Sequence, residues 1–293
     1  MMLAAADVTT AVVSSAVVAA IVGAVSSFFT QRYLLVRKAQ LDADAMDRQA
    51  RIAYESMARQ RLYEAIGPLR MQLLYSARDA IHRIVGHVRA GMDWNMDPSA
   101  DYGRSTIYRL LCPLAVAQLI ERAVGAADFS VDAGALGLLR FGATSERMLS
   151  SDNVVLDHPD VDWARQTQHL FRDNLRAAAA RLIDDDHDRP IVISYDRFLE
   201  EVPDPARDPE LEALAAILSQ CSRHMGENPL FWLRLVGYAY ACGELVRTQG
   251  VPLGFATPTI DPAMLLRKTG DEYISRHIDD YVAAMRRVAD EGL

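Results

Sequence analysis

The chain has 293 residues, a formal charge of −8 and 51% hydrophobic side chains, with a mean hydropathy of zero. That length holds one membrane segment plus a sizeable soluble domain, and that hydropathy excludes a polytopic transporter. The acidic balance excludes a broad nucleic-acid surface and leaves room only for a local basic pocket.

Residues 1–7 read as a short extracytoplasmic tail. No charge follows until Arg32, so residues 8–31 form an uncharged run of 24. As a helix it spans about 36 Å, enough for a hydrocarbon core of about 30 Å. Phe28, Phe29 and Tyr33 form an aromatic belt at one end, and Arg32, Arg37 and Lys38 follow it. The positive-inside rule then places the N-terminus outside and the bulk of the chain in the cytoplasm, as expected of a single-pass protein of a bacterial inner membrane. A cleaved signal peptide wants an early positive region, which the sequence lacks.

Within the run, Ala11, Ser15, Ala19, Gly23 and Ser27 recur every four residues. Small residues in register let helix backbones approach closely in lipid, where water does not drive association. A homo-oligomer is expected, with the lipid bilayer and further copies of the chain as its partners. Thr10, Ser14 and Ser26 are candidate water-facing hydroxyls.

Residues 32–66 hold good helix formers with no Gly or Pro after Thr30. Val36, Ala39, Ala43, Met46, Ala50, Ala53 and Met57 step by three and four, a coiled-coil-like seam made largely of small side chains. Asp44–Arg48, Asp47–Arg51 and Glu55–Arg59 are spaced for i,i+4 pairs on solvated flanks.

The sequence from 67 to 293 reads as one α-helical cytoplasmic domain. Pro68 suits a helix start or a kink, and apolar residues recur at helical spacing over 69–88. A loop is predicted over 91–105. Helices are predicted near 105–124, 134–150, 160–184 (capped by Asp160), 209–225 and 229–248, and over 262–290 with a break at Gly270. The run 189–198 is β-like but too short to make a sheet alone. Residues 228–245, with Trp232, Tyr238 and Tyr240, read as a central core helix too short for a second span. The fold class is therefore all-α: a transmembrane helix, its coiled-coil-like extension, and a multi-helix body.

No catalytic motif of the phosphate-loop, zinc-protease, dinucleotide or nucleophile-elbow type occurs, so no catalytic residue and no cofactor is assigned. Cys112, Cys221 and Cys242 are odd in number and form no CxxC pair, which suits a reducing compartment. Asp157, His158 and Asp160, and the acidic run around His187, lack metal-site spacing and read as solvated turns, so no metal is expected. His82 and His87 are five apart, off the face-sharing spacing, and suit packing or exposure. Lys38 and Lys268 are the only lysines, so arginine carries the positive charge. Arg104, Arg109, Arg140 and Arg176, with Arg122, Arg147, Arg172 and Arg181, lie on predicted helices or at their starts. Convergence of several would hold a nucleotide or oligonucleotide phosphate.

In layout (a Ser/Ala-rich span at 11–27, a coiled extension at 36–57, then a helical body) the chain resembles membrane effectors of bacterial antiviral systems. That resemblance implies a cytosolic domain that senses a signal, sometimes a nucleotide, and joined membrane helices that alter permeability. It carries no motif and transfers no binding residue. A ligand-gated pore is the leading expectation. A non-conducting scaffold that recruits protein partners is the alternative, and an enzyme with an unfamiliar helical site the third.

Overall fold

The computed structural model describes residues 4–89, 96–125, 127–162, 170–186, 189–220, 228–257 and 259–291, with side chains from Val18 onward. The chain divides into two units, Met1–Ala58 and Arg59–Leu293. Helix α1 (Ala4–Arg89) contributes to both.

In the first unit the helix is apolar and unpacked. Val18, Ile21, Val22, Val25, Phe28 and Phe29 are each about half exposed or more. This is one helix long and apolar enough to cross a membrane, with none of its apolar window buried. Ala19, Gly23 and Ser27 are exposed, and no atom lies within 4 Å of a Cβ built at Gly23. The side chains of Ala11, Ser15, Thr10 and Ser14 lie outside the described ones. Every seam residue is also exposed, Met46 at 71% and Met57 at 56%. Among the spaced charge pairs, Arg51 turns to Glu55 at 3.1 Å rather than back to Asp47, and Arg48 Nε donates to the Asp44 carbonyl at 3.0 Å.

The second unit begins within α1, which runs through Gly67 and Pro68 without ending. Proline lacks the N–H that would bond back one turn. Ile66, Leu73 and Leu74, all buried, hold the helix across that gap by packing. Leu73, Leu74, Ala77, Ile81, Ile84, Val85 and Val88 form its buried stripe, at the spacing the sequence predicts.

Helix α2 (Asp101–Ala123) starts four residues earlier than the sequence suggests. A Cβ on Gly103 would lie 1.9 Å from the Asp97 carbonyl oxygen, so only glycine admits that close approach of backbone. Helix α3 (Ala133–Ser150) is capped by Asp132, whose carboxylate accepts from the Gly134 and Ala135 N–H groups.

The helix expected over 160–184 is a correction. Residues 152–160 form turns, with Leu156 at φ 49°, residues 163–169 lie outside the described ones, and α4 spans only Arg172–Ala180. Asp160 caps nothing there; Phe171 holds the N-cap position without a side-chain bond. The β-like run does find a partner. Ile191–Val192 (β2) pairs antiparallel with Ile183–Asp184 (β1), a two-residue ribbon.

Short helices follow: α5 (Tyr195–Glu201), capped by Ser194, and α6 (Glu212–Gln220). Helix α7 (Pro229–Leu245) is the core helix, largely apolar, with Trp232 and Tyr238 at 1% exposure or less. It packs chiefly on α3, and α2 packs on α3 and α4. The Tyr238 hydroxyl donates to the Leu110 carbonyl at 2.9 Å, beside the turn where Pro113 removes a backbone donor from α2. The buried Arg234 donates to the Ser151 carbonyl at 2.7 Å at the end of α3, and burial lowers its pKa to about 10.

Helix α7 passes into one π-turn, Val246–Gly250, then a 3-10 turn, Val251–Leu253. The predicted closing helix is three: α8 (Pro262–Arg267), α9 (Glu272–Arg276) and α10 (Ile278–Asp290), capped in turn by Asp261 and Asp271 for the first two. Gly270, at φ 71°, makes the predicted break. The architecture of the described residues is all-α with one small ribbon.

Candidate functional site: a cationic and aromatic groove on the second unit

A groove of about 840 Å³ lies between the last five turns of α1 and the loop after the π-turn. On α1 its wall is Met71, Tyr75, Arg78, His82, Gly86 and Arg89, residues three or four apart and therefore on one helix face. Opposite stand Val246, Phe255, Thr257 and Thr259.

Local geometry explains how the loop delivers Phe255. Gly254 adopts φ 91°, a left-handed conformation that favours glycine. The Phe255 N–H returns to the Gly250 carbonyl at 3.1 Å, and the Phe255 ring lies so close to Gly250 that a Cβ there would sit 3.2 Å from it. The ring meets Tyr75 at a centroid distance of 5.1 Å.

The groove carries positive charge and no carboxylate among its lining residues. The Arg78 guanidinium lies 5.1 Å from the Tyr75 ring centre and pairs with Asp79 at 3.2 Å, outside the groove. His82 and Arg89 are exposed and engage no ion pair or hydrogen bond among the described residues. Gly86 faces open space, with nothing within 4 Å of a Cβ built on it. The arrangement can hold a flat ring on one side and an anion on the other.

The arginines singled out by sequence lie elsewhere. Arg176 bridges Glu121 at 2.7 Å and the buried Glu146, and Arg104 pairs with Asp101. Arg172 also meets Glu146; Arg122 meets Asp185; Arg147 meets Glu291; Arg181 meets Glu201 and Asp208. Arg109 is exposed on α2. Arg140 lines a second groove of about 330 Å³ that also holds Glu244 and Asp290. The carboxylates explain most of these guanidinium groups, which tie helices together.

Among the described residues, one trio of possible metal donors comes within 4.8 Å: His158, Asp160 and Asp271. The donor atoms of His158 and Asp271 already have partners. His158 Nδ1 accepts the Asp160 backbone N–H at 3.1 Å, so Nε2 carries the proton of the neutral ring and faces Asp271 at 3.4 Å. Asp271 in turn caps α9 through the Ile274 N–H at 2.7 Å, and the Asp157 carbonyl takes the Tyr273 hydroxyl. The trio latches a turn to a helix start. His187 and Cys221 lie outside the described residues.

His87, on the buried face of α1, stacks on Trp232 at 5.1 Å and accepts from or donates to the Tyr102 hydroxyl at 3.1 Å. Burial, with the Arg83 charge second, lowers its pKa to about 4, so it is a neutral core side chain. Burial pushes the Cys112 thiol up to about 11 and the Cys242 thiol further up, which leaves neither nucleophilic at neutral pH.

Sequence reasoning passed over Tyr75, Arg78, Gly86 and Arg89, though their helical spacing was visible. Phe255, far along the chain, left no such signal. The chain matches no protein-family model, no curated protein and no solved structure.

Proposed function

We infer that the protein is a self-associating, single-pass membrane protein whose helical body, on the cytoplasmic side, senses a ligand and acts on the membrane helices. One observation carries this reading: the uncharged N-terminal stretch of α1 keeps its apolar side chains exposed, from Val18 to Phe29. An apolar surface of that extent needs lipid or another copy to cover it. The small residues Ala19, Gly23 and Ser27 share one row of that surface and suit close approach between copies. The exposed seam from Val36 to Met57 adds weak contacts that the membrane anchor makes effective by raising local concentration.

Alteration of membrane permeability in antiviral defence is the role this layout suits, and the groove gives the body a place to receive a signal. The groove wall is α1 itself, the same helix that supplies the apolar segment. In membranes, replacement of both Ala19 and Gly23 by leucine abolishes crosslinking between copies; unchanged crosslinking overturns the reading.

A second reading is a non-conducting scaffold. It is favoured by Leu34, Leu35, Leu41, Ile52 and Tyr54, exposed apolar residues off the seam that suit a partner protein. Ion flux through liposomes containing the purified chain separates the two.

A further inference from the structure

We propose that the groove on α1 binds a small anion bearing a flat ring, with the ring against Tyr75 and Phe255 and the anionic group on Arg89, His82 and Arg78. The inference rests on the reading of the body as a sensing unit and names the chemistry of what it senses.

Three observations converge. The volume, about 840 Å³, is that of a small-molecule site. The two rings stand at one end of a wall whose other lining charges are all cationic, so a ligand with separated ring and anion satisfies both. Gly86 stands within that wall. A glycine inside a helix costs up to about 1 kcal/mol relative to alanine, and here no neighbour among the described residues requires it: none approaches within 4 Å of the missing Cβ. Its absence of a side chain leaves the wall open between His82 and Arg89, with room there for a ligand lying along the face.

Two sources share this chemistry, a nucleoside phosphate and an aromatic carboxylate. Calorimetric titration of the full chain in detergent with AMP, GMP and UMP, and separately with anthranilate, distinguishes them. At least one probe is expected to bind saturably, with a Kd tighter than about 1 mM. Adenosine and inorganic phosphate, each lacking one half of the recognised chemistry, are expected to bind at least about tenfold more weakly than the probe that combines them. Gly86→Leu, which fills open space, and Arg89→Gln, on an exposed side chain, each weaken the bound probe about tenfold or more without lowering Tm. Arg140→Gln in the second groove leaves binding unchanged.

Failure of every ringed anion to bind, equal binding of the neutral nucleoside, or binding indifferent to both Gly86→Leu and Arg89→Gln overturns the proposal. Crosslinking of the same preparation keeps it apart from the membrane reading. A monomeric chain that still binds its probe through Arg89 removes self-association and leaves the groove standing.

Discussion

The first unit and the body solve the same problem, apolar side chains on helices, in opposite ways. In the body, Leu62, Leu73 and Leu74 are fully buried, as is α7 except at Tyr240 and Glu244. In residues 18–57 of the same α1, side chains as large as Phe29, Leu35 and Met46 are more than half exposed. The body buries its apolar side chains within itself. The described apolar side chains of the first unit have no such cover, which is what the proposed lipid or second copy would supply. Helicity is therefore no guide to which medium a segment was selected for; the covering of its apolar face is.

The largest way to break that contrast is to charge the apolar segment. Ile21→Arg combined with Val22→Arg costs about 2.5–3.5 kcal/mol per arginine at the centre of a membrane helix. The pair is expected to move the protein from the membrane fraction to the soluble or aggregated one. Arginine at the exposed Ile52, beyond the uncharged run, is expected to leave fractionation unchanged. Retention of the double variant in carbonate-washed membranes would overturn the assignment of this segment to lipid.

A smaller effect sharpens the contrast through pH. No titratable side chain lies between Asp7 and Arg32, whereas the body buries His87 among Trp232, Tyr102 and Arg83. Its folded pKa of about 4 lies below the ordinary 6.5, so the unfolded chain takes up the proton first. The stability due to neutral His87 is fully present above pH 6.5 and is lost as pH falls from 6.5 towards 4, by about 3 kcal/mol in all. His87→Phe keeps a ring on Trp232 and is expected to remove that part of the slope. Tm measured against pH for both proteins checks it, and parallel curves would show that the fold leaves the His87 pKa unshifted.

The all-α fold was legible because its signal is local: the 3.6 period over 69–88, Gly270 as a stop, the all-round apolar run of α7. What was not legible depends on partners distant in sequence. The ribbon joins Ile183–Asp184 to Ile191–Val192 across an acidic stretch of sequence, and two residues per strand leave no periodicity to read. The pattern around 160–184 continues at helical spacing, yet among the described residues only Arg172–Ala180 is helical and 183–184 pair as a strand. The arginines were visible as residue types, but Glu121 and Glu146, which occupy Arg176, were not visible as its partners. The groove was half legible. Tyr75, Arg78, His82 and Arg89 share a helix face by arithmetic alone, while Phe255 reaches them only through the left-handed turn at Gly254.

The smallest effect tests the groove wall itself. Gly86 and Gly103 are both helical glycines of the body, but for opposite reasons. At Gly103 a Cβ would meet backbone at 1.9 Å, so alanine there is expected to lower stability by about 1–3 kcal/mol. At Gly86 a Cβ meets nothing, so Gly86→Ala gains helix propensity at no steric cost, about 0.5–1 kcal/mol. For a body of this size that raises Tm by about 1–4 °C. A fall in Tm instead would mean that something packs on Gly86 in solution, and the open wall between Tyr75 and Arg89 would then be closed to any ligand.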